Sequence, residues 1–311
     1  MRAFAKLVAA SAIALAAAPA SAGSCDEACL LSVADQFTVA IAKQDYLSLP
    51  WADPDPVYFT ENNVGLMIGD AWWGSVGETV GTKAFSIADE TTGNVVWFGT
   101  IWDHDEPSFG AVRIKAPDGK ISEIEVIAGR TPWPMPFGDP EAFAISGHMT
   151  GAVKAADRRS RERLIDLADN YLATKQRNNG TLLADFDAGC RMLENGVHIT
   201  SAEGEIDPAR KDCASVFSAG LFAPVERIRD RRFPVVDPEQ GLVVAISVQD
   251  LPAKEASFFA ADGTKVALKR PYPMSRLVAE LVRIEGDTVM GAEGVVTFLP
   301  VNMPTPWPVG D

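Results

Sequence analysis

The sequence predicts an α+β fold: two tandem cone-shaped domains, each a curved antiparallel sheet wrapped around helices. Three observations carry this. Segments from one half of the chain recur in the same order in the other half. Each copy opens on an amphipathic helical pattern and continues into strand-like runs separated by Gly- and Asp-containing turns. The step Glu-Asn closes an apolar run twice, in "YFTENNVGLMI" from Tyr58 and in "CRMLENGVHIT" from Cys190.

The elements follow in order. "SVADQFTVAIAKQDY" from Ser32 and "DLADNYLATKQRNNG" from Asp166 share Ala-Asp followed two residues later by an aromatic, and each reads as a first helix. The Glu-Asn segments come next. "AFSIADETTGNVVWF" from Ala84 and "RFPVVDPEQGLVVAI" from Arg232 share Phe-x-[Ile/Val]-x-Asp-x-x-x-Gly-x-Val-Val, two strands around a turn. "RIKAPDGKISEIEVI" from Arg113 and "LVRIEGDTVMGAEGVV" from Leu281 are each two strand-like runs joined by Asp-Gly or Gly-Asp. The spacing between matched segments grows along the chain, as in a duplication with insertions in the second copy. The Pro- and Gly-rich piece between the copies reads as a linker. The expected organisation is a signal peptide over 1–22, a first domain over 23–130, a linker over 131–157 and a second domain over 158–311.

Arg2 and Lys6 precede an apolar run too short to span a bilayer, which ends in small residues at Ala20–Ala22. This is a secretory signal, so the mature protein is expected to be secreted or periplasmic, with no membrane span. The formal charge of −14 repels phosphate backbones, and nucleic acid is not an expected partner. Four cysteines, Cys25, Cys29, Cys190 and Cys213, suggest two disulfides in an oxidising compartment. Three connectivities exist, and the local one, Cys25–Cys29 with Cys190–Cys213, is favoured. Zinc is the rival reading, but no nearby His completes a ligand set, so no metal is expected. Gly-x-Ser-x-Gly, His-Glu-x-x-His and phosphate-cradling glycine loops are absent, which argues against serine hydrolases, zinc proteases and nucleotide enzymes.

The order of elements, the size of each copy and the segments "FTENNV", "CRMLENGV" and "RIRDRRFPVVDPEQGLVV" resemble the nuclear transport factor 2-like (SnoaL-like) superfamily, over about residues 25–305. The match resembles a tandem, secreted group within it. The superfamily includes ketosteroid isomerases, epoxide hydrolases, polyketide cyclases, dehydratases and formaldehyde-releasing lyases of lignin-derived aromatics, alongside proteins that only bind. The resemblance implies a cofactor-independent lyase, isomerase or hydrolase with a carboxylate or His in an apolar cone. Its substrate would be a small hydrophobic molecule, aromatic and lignin-type in one version. The alternative is a non-catalytic protein that binds a small molecule or a partner, with homodimerisation left open. The superfamily's catalytic patterns do not map onto this chain residue by residue, so candidates come from the residues themselves.

Glu61 and Asn62, and in the second copy Glu194 and Asn195, pair a carboxylate with an amide that could serve as base and hydrogen-bond donor. The plainer reading is that Asn starts a turn and Glu pairs with an Arg. "WFGTIWDHDE" supplies Asp103 and His104 as further catalytic candidates, His104 being one of three histidines. Tyr58, Trp72, Trp73 and Trp97 are expected to line the first pocket, against core packing as the alternative. Arg229 or Arg231 could hold a carboxylate or phenolate of a ligand, with internal ion pairing as the alternative, and Arg191 is a further substrate-binding candidate. Arg229 and Arg231 are expected on one strand face. Asp89 and Asp237 recur in register as turn residues.

Overall fold

The computed structural model describes residues 24–52, 57–130, 137–200, 210–251, 257–260, 263–267 and 273–309. The expected signal segment and residues 131–136 of the expected linker lie outside the described residues.

The fold is mixed α+β and rich in sheet. The first half opens with helix α1 (Glu27–Ala42), whose first turn is capped by Asp26 accepting from the Cys29 amide. Leu30, Val33, Ala34, Phe37, Ala40 and Ile41 form its buried stripe. Strands β1 (Tyr58–Glu61) and β2 (Val64–Leu66), short helix α2 (Trp72–Ser75), and strands β3 (Val76–Asp89), β4 (Asn94–Asp103), β5 (Glu106–Lys115) and β6 (Glu123–Gly129) follow. They form one sheet in the order β2-β1-β6-β5-β4-β3.

The second half repeats this plan. Helix α3 (Arg161–Arg177), capped by Ser160, precedes β7 (Asp185–Glu194), β8 (Val197–His198), helix α4 (Cys213–Ser218), β9 (Arg227–Asp237) and β10 (Leu242–Leu251). A small hairpin of β11 (Ser257–Phe259) and β12 (Lys265–Ala267) comes before β13 (Met274–Glu285) and β14 (Thr288–Leu299). The sheet order is β8-β7-β14-β13-β10-β9. The extra hairpin, absent between β4 and β5, accounts for the widening spacing of the last matched segments.

One expectation needs correction. The sheets are not wholly antiparallel, because β1 runs parallel to β6 and β7 runs parallel to β14. The four-strand meander reverses direction three times, and the strand after each first helix closes the sheet beside the last of those strands. Bulges in β3, β7 and β9 bend both sheets.

The Glu-Asn step is a two-residue hairpin in both halves. Asn62-Asn63 and Asn195-Gly196 all have positive φ, the requirement of a type I′ turn. Each Asn side chain then extends the parallel ladder beyond its strand. Asn62 accepts from the Ala128 amide at 2.8 Å and donates to its carbonyl at 3.4 Å. Asn195 makes the same pair with Val296, at 2.9 and 2.8 Å. Glu-Asn repeats because one side chain pins the first strand to the last one.

Both faces of each sheet are covered. The inner faces carry the helices. The outer faces pack on each other, with Val96, Phe98, Ala111 and Ile127 of the first sheet against Val235, Val244, Ile246, Leu277 and Leu281 of the second. Residues 137–157, expected as a linker, form three single 3₁₀ turns and bury Met149 in this interface. Polar ties frame it. Arg232 grips the fully buried Glu125 with two bonds of 2.8 and 2.7 Å. Arg161 pairs with Asp89, whose carboxylate also accepts from the Val236 amide at 3.0 Å. Trp307 returns to the first half, where it meets Tyr58 edge-on at 4.8 Å and lies under the Arg113 guanidinium at 4.3 Å.

The disulfides are Cys25–Cys29 and Cys190–Cys213, the local pairing. Among the described residues no helix is long and apolar enough to cross a membrane. Both facts are consistent with an extracellular or periplasmic protein.

Burial alone would raise the Glu125 carboxyl, and Arg232 with Arg113 outweighs it and holds the group ionised. Arg232→Ala is therefore predicted to destabilise the fold by about 2–3 kcal/mol, since it strips a buried charge of its main partner. Urea denaturation of the variant against wild type measures this.

Candidate functional site

The ends of β1 and β4 and the start of α2 bring Glu61, Asp103 and His104 together around Arg130. Arg130 binds Glu61 at 2.6 Å and Asp103 at 2.6 Å. The other Glu61 oxygen accepts from the Trp72 amide at the first turn of α2, and His104 Nδ1 lies 2.7 Å from Asp103. Burial would raise the Asp103 carboxyl, but the Ser75 hydroxyl, Arg130 and His104 bring it below its ordinary value. His104 and Asp105 both have positive φ and form the tight β4–β5 turn, so the His104 side chain is 76% exposed. The cluster is an ion-paired clasp at the rim of the first sheet.

The interior of the first half is filled by tryptophan. Trp72, Trp73 and Trp97 are buried. Gly99 and Gly110 face each other across β4 and β5, and a Cβ there would lie 2.3 Å from the Trp97 ring and 2.7 Å from that of Trp72. The rings rest on bare backbone. Trp73 packs edge-on against Phe37 at 5.5 Å.

The remaining candidates are scattered. Tyr58 lies against Trp307. Asn62 and Asn195 spend both amide atoms on the neighbouring strands. Arg191 donates to its neighbour's carbonyl at Cys190. Arg229 and Arg231 do not share a face, because Asp230 at positive φ adds a bulge residue between them. Arg229 binds Asp250, while Arg231 turns to Asp169 and Gln176 on α3.

The second half differs most where the first is apolar. Corresponding ladders start at Asn94↔Lys115 and Leu242↔Arg283. Counting inward, Trp97–Val112 becomes Ala245–Glu280, Gly99–Gly110 becomes Ser247–Val278, and Ile101–Ser108 becomes Gln249–Arg276. The matched helices place Tyr171 and Lys175 where the first half has Phe37 and Ile41. The result is a buried ionic network. Glu280 Oε1 accepts from the Tyr171 hydroxyl at 2.9 Å and from Lys175 at 2.8 Å. Lys175 also reaches Glu194 at 3.1 Å, and Arg276 joins Glu194 at 2.9 Å to Gln249 at 2.5 Å. The Lys175 ammonium sits 4.7 Å from the Phe222 ring. Among the described residues Glu280 Oε2, Gln249 Nε2, Arg276 Nε and Ser247 Oγ are buried with no hydrogen-bond partner. These groups lie on the inner face of adjacent strands and offer acceptors and donors to a small polar group.

Sequence reasoning reached Glu194 and missed Tyr171, Lys175, Gln249, Arg276 and Glu280. The signal was present: Lys175 lies four residues beyond Tyr171, on the buried stripe of α3, and Glu280 interrupts an apolar strand run. Burial would raise Glu194, but Arg276 and Lys175 hold it at about 2. Burial and the Glu280 charge push the Tyr171 phenol well above its usual range, so it stays protonated as a donor. Among the described residues no group of three or more His, Cys, Asp or Glu is arranged to hold a metal.

Residues 157–295 match the family described as a domain of unknown function, DUF8021. No curated protein matches. A solved structure of AusH from Aspergillus nidulans is similar at 14% identity over 44% of this chain and 86% of that one, with a TM-score of 0.29. A likeness that weak has no bearing on function.

The Glu194 carboxyl lies below its ordinary value of 4.5 in the folded state. It therefore stabilises the fold above about pH 4.5, and that contribution, on the order of 3 kcal/mol, fades as pH falls toward 2. Stability measured by urea from pH 7 to pH 2.5 should show wild type losing its advantage over Glu194→Gln across that window.

Proposed function

We propose that the chain is a tandem pair of SnoaL-like domains in which the second half is chemically active and the first is structural. The second interior would bind a small, largely apolar molecule carrying a carbonyl or hydroxyl oxygen. It would move a proton on that molecule without a cofactor, as an isomerase or lyase. The observation that carries the reading is the exchange of Phe37, Ile41 and Val112 for Tyr171, Lys175 and Glu280 at matching positions. Burying charges in place of apolar side chains does not improve stability, so their retention calls for another reason.

The roles follow from the bonds. Lys175 and Tyr171 occupy one Glu280 oxygen and orient the carboxylate. The free Oε2 is the base, and it takes a proton from carbon adjacent to the substrate carbonyl. The Gln249 and Arg276 N–H groups without partners would stabilise the oxyanion that forms. Returning the proton to another carbon completes an isomerisation. The aromatic wall of Phe186, Phe217 and Phe222 suits an aromatic or terpenoid body. This activity would lie outside the cytoplasm, a reading that the expected secretion signal and the two disulfides support. Homodimerisation forms no part of the proposal, because the outer sheet faces are already covered within one chain.

A second reading has its own support. Lys175 and Arg276 balance Glu194 and Glu280, and a closed neutral network suits a protein that binds without turnover. The test is incubation of the mature protein and of Glu280→Gln with aromatic and terpenoid carbonyl compounds that raise the melting temperature, followed by mass spectrometry and proton–deuterium exchange. The proposal predicts exchange or product that falls about 10²–10⁴-fold in the variant. Ligands that stabilise both proteins equally, with no exchange, support binding alone.

A further inference from the structure

Among the described residues seven carboxylates are buried: Glu61, Asp89, Asp103, Glu125, Asp250, Glu280 and Glu293. Six of them have a cationic partner: Arg130 holds Glu61 and Asp103, and Arg161, Arg232, Arg227 and Lys175 hold the others. Glu293 is the exception. It is 5% exposed and accepts from the Ser146 amide, at 3.3 Å to each oxygen, and from the Ser146 side chain, both of them neutral donors. No ion pair to it occurs among the described residues.

Glu293 lines a cavity of about 350 Å³ between the two halves, under residues 139–145. The walls include Phe98, Phe109, Phe143, Ile145 and Val295, with Asp139 also lining it. Phe109 and Phe143 stand edge-to-face at 6.2 Å. His198 is the other titratable group of the lining. The site lies on the outer side of the second sheet, away from the Glu280 network. Its volume is in the range of small-molecule pockets.

We propose that this cavity is a binding site for a small organic cation, an ammonium group on an apolar body. The cation would supply the charge partner that Glu293 lacks, and the aromatic walls would add cation–π attraction. The acidic protein field, −14 overall, would concentrate cations at the opening. Burial raises the Glu293 carboxyl, and a bound ammonium would lower it again. The inference does not depend on the proposed reaction in the second interior.

Calorimetric titration at pH 8 tests it, using phenethylamine, its N,N-dimethyl and trimethylammonium forms, and neutral 2-phenylethanol on the full chain. At least one ammonium probe should bind saturably and at least tenfold more tightly than the alcohol. Glu293→Gln should remove that preference. Ala144→Trp, which fills the cavity from its rim, should abolish binding and serves as the second variant if Glu293→Gln does not fold. Equal affinity for amine and alcohol, an ammonium preference that survives either substitution, or no saturable heat from any ammonium probe would overturn the proposal.

Discussion

Two sheets with two apolar faces each impose the constraint on which everything else rests. A strand such as β4, buried along nearly its whole length, must be covered on both sides. Helices α1 and α3 cover the inner faces. The outer faces have only each other, and the chain satisfies both by placing the two sheets back to back. Once that contact forms, charges at its margin are drawn out of water, and two of them are paired across it: Glu125 with Arg232, Asp89 with Arg161. The tie between β1 and β6, through Asn62, and between β7 and β14, through Asn195, keeps each sheet closed while its outer face is occupied.

The packing leaves the two interiors free to differ. The first is completed by tryptophan rings seated on a cross-strand glycine pair, which leaves a dense apolar core. The second has no tryptophan on its inner strands and holds instead a lysine, an arginine, two glutamates and a tyrosine. A buried ion network is weak evidence for stability. Here it coincides with four buried polar atoms that have no protein partner among the described residues. That combination marks the second interior as the chemically distinctive part of the molecule.

Much of the fold was legible in the sequence. The duplicated order of elements, the first helices, the hairpins around Asp89 and Asp237 and the local disulfides could be read from patterning and spacing, which local chemistry sets. The parallel pairings could not, because they depend on which strand the first one meets after the sheet curls. The same-face expectation for Arg229 and Arg231 failed on one bulge residue, which alternation cannot reveal. Glu61, Asp103 and His104, singled out as polar groups within apolar segments, meet at the rim of the first sheet, but the sequence gives no sign of Arg130 between them. The site in the second half escaped because its members are distant in sequence. Lys175 on the buried stripe of α3 and Glu280 within an apolar strand each leave a trace, but only a position-by-position comparison of the two halves brings them together.

The central claim is that the second interior keeps its charges for a purpose other than folding. The direct measurement is the urea unfolding free energy of Tyr171→Phe/Lys175→Met/Glu280→Leu, which replaces the cluster by apolar residues of similar size and leaves Glu194 paired with Arg276. The account predicts a fold as stable as wild type or more stable, by up to about 4 kcal/mol, and without proton-transfer activity. A loss of about 3 kcal/mol or more would contradict it and make the network part of the scaffold.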